Sequence, residues 1–344
     1  MSELSPDAVA AADPSRQVVD ILGLPEHLRD ALWKVDSAGL TPVDSTGGLV
    51  VAGMGGSAVG GRLAAAVLGS RAKRPVVTVS GYALPAWVDS RWTVLCSSYS
   101  GGTEETLALY AAAGEAGAQR VVTAAGGELA ERAREDGVPV IPVAGGFQPR
   151  AAVGYALVSV LEVAALCGAG PSLRDEVEGA ATLAEELARA WGPDAGGEAK
   201  DLATDLAQRT AVVCGAELTA PVAYRWKTQL NENAKVHAFA SELPELDHNE
   251  IEGWASAQGF AAVFLEDAET HPRIRRRVEL TTGILERAGA EVHRVSARGS
   301  TRAERLVSLV LLGDLVSLYV GVLRGVDPAS IDALNELKRA LSQN

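Results

Sequence analysis

Residues 48–68 read GLVVAGMGGSAVGGRLAAAVL. A short apolar run is followed by a glycine turn and then by an Ala-rich stretch. That succession reads as strand, tight turn and helix, the opening of a βαβ unit. The pattern recurs downstream in PVVTVSGY (75–82), WTVLCSSYSGGTEETLALYAAA (92–113), QRVVTAAGG (119–127) and VPVIPVAGG (138–146). Five strand candidates, most of them alternating with helices, predict a parallel sheet covered on both faces. Helices are expected over 151–167 and in the Ala-, Leu- and Glu-rich segment after it. AWGPDAGGEAK, 190–200, marks a boundary. Beyond it the alternation restarts with TAVVCGAELTAPVAYRWKTQL (210–230), GFAAVFLEDAE (259–269) and AEVHRVSARG (290–299). Both units set a hydroxyl residue four positions after a strand-ending glycine, Gly53 to Ser57 and Gly215 to Thr219, which favours two copies of one fold. The expectation is an α/β protein with two doubly wound, flavodoxin-like parallel sheets. Residues 1–192 form one unit with a helical N-terminal segment, and residues 200–344 form the other, ending in a helix.

Composition narrows the function classes. The chain has 344 residues, 47% of them hydrophobic, and a formal net charge of −13. Phosphate backbones need clustered Lys and Arg, so a nucleic-acid surface is not expected, and the basic run Arg273–Arg277 reads as a solvated helix face. Three scattered cysteines (Cys96, Cys167, Cys214) suit neither a disulfide framework nor a zinc site. No histidine pair has metal-ligand spacing and the carboxylates lack a repeated ligand pattern, so no metal is expected. The N-terminal residues lack a basic segment followed by an apolar core, which argues against a signal peptide. Two long apolar stretches, 153–170 and 306–323, carry Glu162 and Asp314 inside them and read as buried core helices rather than membrane spans. A cytoplasmic protein is expected.

Two glycine turns carry candidate chemistry. GMGGSAVGG (53–61) presents backbone N–H groups, including that of Gly56, and the Ser57 hydroxyl at a helix start, a place suited to an anion. The acidic residue of a dinucleotide site and the lysine of a P-loop are both missing. SSYSGGTEET (97–106) gathers Ser98, Ser100 and Thr103 around Gly101-Gly102. Capping by Thr103 with Glu104 and Glu105 in the first turn accounts for one hydroxyl. Two such turns in one sheet favour a phosphate monoester.

The two turns resemble the phosphosugar-binding turns of the sugar isomerase (SIS) domain. NENAK (231–235), followed by LPELDHNEIEGW (243–254), resembles the second SIS domain of the bifunctional phosphoglucose/phosphomannose isomerases of archaea and bacteria. The resemblance runs from about Leu49 to the C-terminus. It implies tandem SIS domains, aldose–ketose isomerisation of hexose 6-phosphates without a metal, and a homodimer whose sites lie at domain and subunit boundaries. SIS regulators that bind phosphosugars without turnover, and isomerases of other phosphosugars, are the alternatives.

The resemblance also distributes roles. Glu232 takes the place of the proton-transferring base, near the end of a helix expected over 220–233, where the helix dipole disfavours negative charge. His248 matches the ring-opening histidine that comes from the neighbouring subunit, and Asp247 or Glu250 could set its tautomer. Arg150 matches an arginine that stabilises the enediolate oxygen, and a helix start is an unfavourable place for a merely decorative cation. Lys338 aligns with a lysine of the terminal helix, although Lys338 and Arg339 also suit a helix end. His27, His237, His271 and His293 read as packing or surface residues. Two departures stand out. Gly102 replaces the asparagine of the common SGNT turn, and Arg62 stands where relatives often carry an acidic residue.

Overall fold

A computed structural model describes residues 4–341. Three helices open the chain: α1 (Pro6–Ala12), α2 (Gln17–Leu22) and α3 (Leu24–Ser37). The first sheet unit follows as β1 (Gly48–Gly53), α4 (Gly55–Leu68), β2 (Val76–Val79), β3 (Trp92–Ser97), α5 (Glu104–Glu115), β4 (Gln119–Ala124), α6 (Gly127–Glu135) and β5 (Val140–Pro142). Helices α7 (Val153–Leu166), α8 (Arg174–Trp191) and α9 (Glu198–Leu206) lead to the second unit. That unit comprises β6 (Thr210–Gly215), α10 (Ala220–Ala234), β7 (Phe239–Glu242), β8 (Phe260–Glu266), α11 (Pro272–Arg287), β9 (Glu291–Ser296), α12 (Arg302–Leu323) and α13 (Asp332–Leu341).

All strand pairs are parallel, in the orders β2-β1-β3-β4-β5 and β7-β6-β8-β9. The first is the flavodoxin-like order 2-1-3-4-5, and the second follows it with one strand fewer. The expected α/β class, the five strands of the first unit and the helices flanking the sheets are all present. Strand β7 was not legible, because four residues on a sheet edge carry too little pattern.

Three clusters make the interior. One fills the outer face of the first sheet beneath α5 and α6, and another the outer face of the second beneath α11. The largest runs without a break from Val51 and Leu95 of the first sheet, through α3, α4, α7, α8, α10 and α12, to Val213 and Val263 of the second. Helices α7 and α12, the two long apolar stretches, are therefore buried inside the protein. Glu162 and Asp314 meet Arg174 and Arg225 there. Gly60 and Gly61 serve this packing rather than a ligand, since a Cβ at either would collide with Ala156 or with Val51 and Thr78. Of the Arg273–Arg277 run, Arg273, Arg275 and Arg276 lie on the solvated face of α11, while Arg277 is half-buried against Asp247.

Candidate active site

In β1 and β3, Gly53 pairs with Ser97, so the two glycine turns leave neighbouring strand ends side by side. Met54 precedes α4 without a capping side chain, and the Ser57 hydroxyl makes no hydrogen bond among the described residues. In the second turn Thr103 does not cap α5; its hydroxyl pairs with Ser98 Oγ at 2.8 Å. Ser98 Oγ also accepts from Gly101 N (3.1 Å), and Ser100 Oγ accepts from Gly102 N (3.3 Å). Gly101 has φ 67°, and a Cβ there would run into the Gly126 carbonyl, so the turn tolerates only glycine at that point. The first helix start thus leaves the Ser57 hydroxyl without a partner among the described residues, while the Ser98 and Thr103 hydroxyls of the second are paired with each other.

The corresponding turn of the second unit is closed. Thr219 Oγ1 donates to Leu265 O (2.9 Å) and accepts from Ala216 N (2.9 Å), so its hydroxyl is spent on its own sheet. The repeat keeps its backbone but not its free hydroxyl.

Arg150 follows β5 on a single 3-10 turn, Pro149–Ala152, which touches the first glycine turn: a Cβ at Gly56 would sit 3.7 Å from Arg150 Cα. Although Arg150 is 5% exposed, four groups meet its guanidinium. Nε donates to Asn233 Oδ1 (2.7 Å), and Nη2 donates to Gln17 Oε1 (2.7 Å) and Pro328 O (2.7 Å). Nη1 faces Glu232 Oε2 at 3.5 Å. Burial lowers the Arg150 pKa, while Glu232 pulls the other way. Glu232 sits in the last turn of α10 with 36% of its side chain exposed, and it lines a cavity of about 480 Å³ with Thr228, Asn231, Lys235 and residues 330–334.

Lys235 caps the C-terminal end of α10 in a left-handed conformation (φ 55°), and its ammonium donates to the carbonyls of Glu232 and Pro328. Burial and, next, the charge of Arg150 lower its pKa, although the residue as a whole is exposed. Gln17, Asn233 and Lys235 had no role from the sequence. Asn233 and Lys235 lie in the quoted NENAK motif, where the spacing alone could have flagged them. Gln17 meets Asn233 across 216 positions, beyond any local signal.

The remaining candidates lie apart. His248 is exposed on the 3-10 turn Glu245–His248, with no hydrogen-bond or ion-pair partner among the described residues. Neither carboxylate expected to orient it does so within the chain: Asp247 accepts from Arg277 (2.8 Å) and Thr281 (2.7 Å), and Glu250 accepts from Ser241. Lys338 is exposed on α13, whose first turn borders the cavity. Arg62 lies 4.9 Å from the Tyr224 ring and ties α4 to α10. His27 stacks on Phe147 (4.8 Å) beneath the loop that carries Arg150.

Comparison with known proteins identifies the family. Residues 196–341 match the family described as bacterial phospho-glucose isomerase C-terminal SIS domain. The bifunctional phosphoglucose/phosphomannose isomerase of Caldicellulosiruptor bescii is 36% identical over 281 residues, covering 79% of this chain and 83% of its own. The chain belongs to the bifunctional phosphoglucose/phosphomannose isomerase family. A second member, from Aquifex aeolicus, is 34% identical over 274 residues, covering 79% of this chain and 82% of its own. The crystal structure of a glucose-6-phosphate isomerase like protein from Thermus thermophilus superposes with a TM-score of 0.63 over 98% of this chain and 99% of that one. At 20% identity that likeness speaks for the fold alone.

Proposed function

We propose that the chain is a sugar-phosphate isomerase that interconverts glucose 6-phosphate and mannose 6-phosphate with fructose 6-phosphate. The observation that carries this is the pairing of Arg150 Nη1 with Glu232 Oε2 at 3.5 Å, beside two glycine turns suited to a phosphate. The phosphate is held by Ser57, Ser98, Ser100, Thr103 and the amides near Gly56. Glu232 removes the C2 proton of the open-chain aldose and returns it to C1, while a hydroxyl proton passes from O2 to O1. Atoms balance and no redox carrier is needed. Arg150 stabilises the enediolate oxygen. Lys338 is kept as a further cation of the site, on a helix whose first turn borders the cavity.

On this reading residues 1–192 and 200–344 are the two SIS domains, the enzyme is a homodimer, and His248 opens the sugar ring in the partner's site. The exposed, unpartnered imidazole on a loop fixed by Arg277 and Thr281 supports that role. So does the apolar face of α13, where Leu334, Leu337 and Leu341 are exposed. The substrate's charge keeps it behind membranes, and the enzyme is assigned to the cytoplasm with it.

Fructose 6-phosphate in D2O tests the reaction: both aldoses should appear with deuterium at C2. Tight binding without turnover would leave a phosphosugar-binding protein instead. Shared sites have their own test. Mixing inactive Glu232→Gln and His248→Asn subunits should restore about a quarter of wild-type activity, because half the dimers are mixed and each holds one intact site. No recovery after exchange of subunits would place both residues in one chain's site.

Position 102 offers a third measurement. A Cβ at Gly102 meets nothing within 4 Å, and its φ is not left-handed. Gly102→Asn should therefore fold and add an amide donor to the phosphate, lowering KM about tenfold with kcat unchanged. An unaltered KM would mean that this edge of the turn does not face the phosphate.

A further inference from the structure

We infer that Gln17, on a helix outside both sheets, is a positioning residue that sets the orientation of the Arg150 guanidinium toward Glu232. The inference rests on the isomerase reading and adds to it a residue from the N-terminal segment.

The hydrogen-bond directions leave little freedom. Arginine only donates, so the group facing Arg150 Nη2 at 2.7 Å must be Gln17 Oε1. The other end of the same amide, Nε2, then donates to Asn233 Oδ1 at 2.7 Å. Asn233 Oδ1 also accepts from Arg150 Nε, and its Nδ2 donates to Ser317 Oγ at 2.8 Å. Each amide is oriented by its neighbours, and the chain from Ser317 to Arg150 has one consistent polarity. Three of the five guanidinium N–H groups are consumed, on Asn233, Gln17 and Pro328, and all belong to the Nε–Nη2 edge. The group is planar, so fixing that edge fixes Nη1, whose recorded partner is Glu232.

Gln17 is itself immobilised. It is 1% exposed, and Asp13 accepts from the backbone N–H groups of Gln17 (2.9 Å) and Val18 (2.7 Å). The helix start is thereby pinned and the side chain is directed between Arg150 and Asn233. The charged groups around Arg150 are Glu232 and Arg225 of α10, Asp314 of α12, Asp327 and Lys235. Like Asn233 and the Pro328 carbonyl, Gln17 is a neutral partner that holds Arg150 without offsetting its charge.

Two variants test the assignment. Gln17→Met keeps the volume and removes both hydrogen bonds; kcat for fructose 6-phosphate should fall about tenfold or more, with KM within twofold. In an Arg150→Met background the same change should cost less than twofold, because a residue acting through Arg150 has nothing left to act on. Losses that simply multiply, or a Gln17→Met enzyme equal to wild type, overturn the inference. Gln17→Glu keeps an acceptor for Nη2 but adds a negative charge, so the acid limb of the pH–rate profile should move to higher pH. Should Gln17→Met fail to fold, an unmoved acid limb in Gln17→Glu overturns the inference by itself. A wild type without turnover would remove the isomerase reading, whereas an active wild type indifferent to Gln17 removes this inference alone.

Discussion

Glu232→Gln is expected to lower kcat by about 10³-fold while leaving KM within a few-fold. The substitution keeps the length and shape of the side chain, so the cavity and the contact with Arg150 survive while the proton acceptor does not. On the proposed reading the phosphate is held by the two glycine turns, which lie on the other sheet unit. The loss should therefore fall on the chemical step. Following the C2 position of glucose 6-phosphate in D2O sharpens the result, since hydrogen exchange and net isomerisation should disappear together. Turnover within tenfold of wild type would put the base elsewhere.

Asp314→Ala is expected to destabilise the fold by about 3–5 kcal/mol, read as a lower denaturant midpoint. Arg225 donates to both carboxylate oxygens, Nε to Oδ1 at 3.0 Å and Nη2 to Oδ2 at 2.6 Å, with both residues buried. Burial raises the Asp314 pKa and the charge of Arg225 opposes it. Removing the carboxylate leaves a guanidinium inside the protein without a counter-charge. The double change Arg225→Met/Asp314→Leu should recover much of that loss, because it removes both desolvation penalties. Its activity should stay low all the same: Arg225 Nη2 also donates to the Arg150 carbonyl at 2.9 Å, so the pair steadies the backbone of the arginine beside the base. A single-variant loss under about 1 kcal/mol would mean that water reaches the pair.

The fold was legible wherever an element carried its own period. Strand β1, the turn at Gly53 and helix α4 can be read from 21 consecutive residues, and the same grammar located eight of the nine strands. Glu232 and Arg150 were singled out by the family resemblance rather than by local pattern, and the fold brings them within 3.5 Å of each other. What local pattern could not give was contact. Thr103 sits where a helix cap is expected, yet its hydroxyl pairs with Ser98 instead of the α5 backbone, and Asp247, a candidate to orient His248, is held by Arg277. Gln17 carries no signal at all, because its partners lie 133 and 216 positions away. Such hydrogen bonds become visible only when the chain is packed.

The unbroken apolar core bears on how substrate enters. A cleft between separate lobes could open by rotation about a linker, at the modest cost of parting a polar seam. Here parting the two sheets would expose helices α8, α10 and α12 to water together, a penalty on the scale of unfolding itself. The scaffold therefore has no hinge. Arg150 and Glu232 stand on opposite sides of a welded joint, and their 3.5 Å separation is as durable as the fold. Any opening for the sugar therefore has to lie outside that joint, at the rim that residues 330–334 and the start of α13 give the cavity beside Glu232.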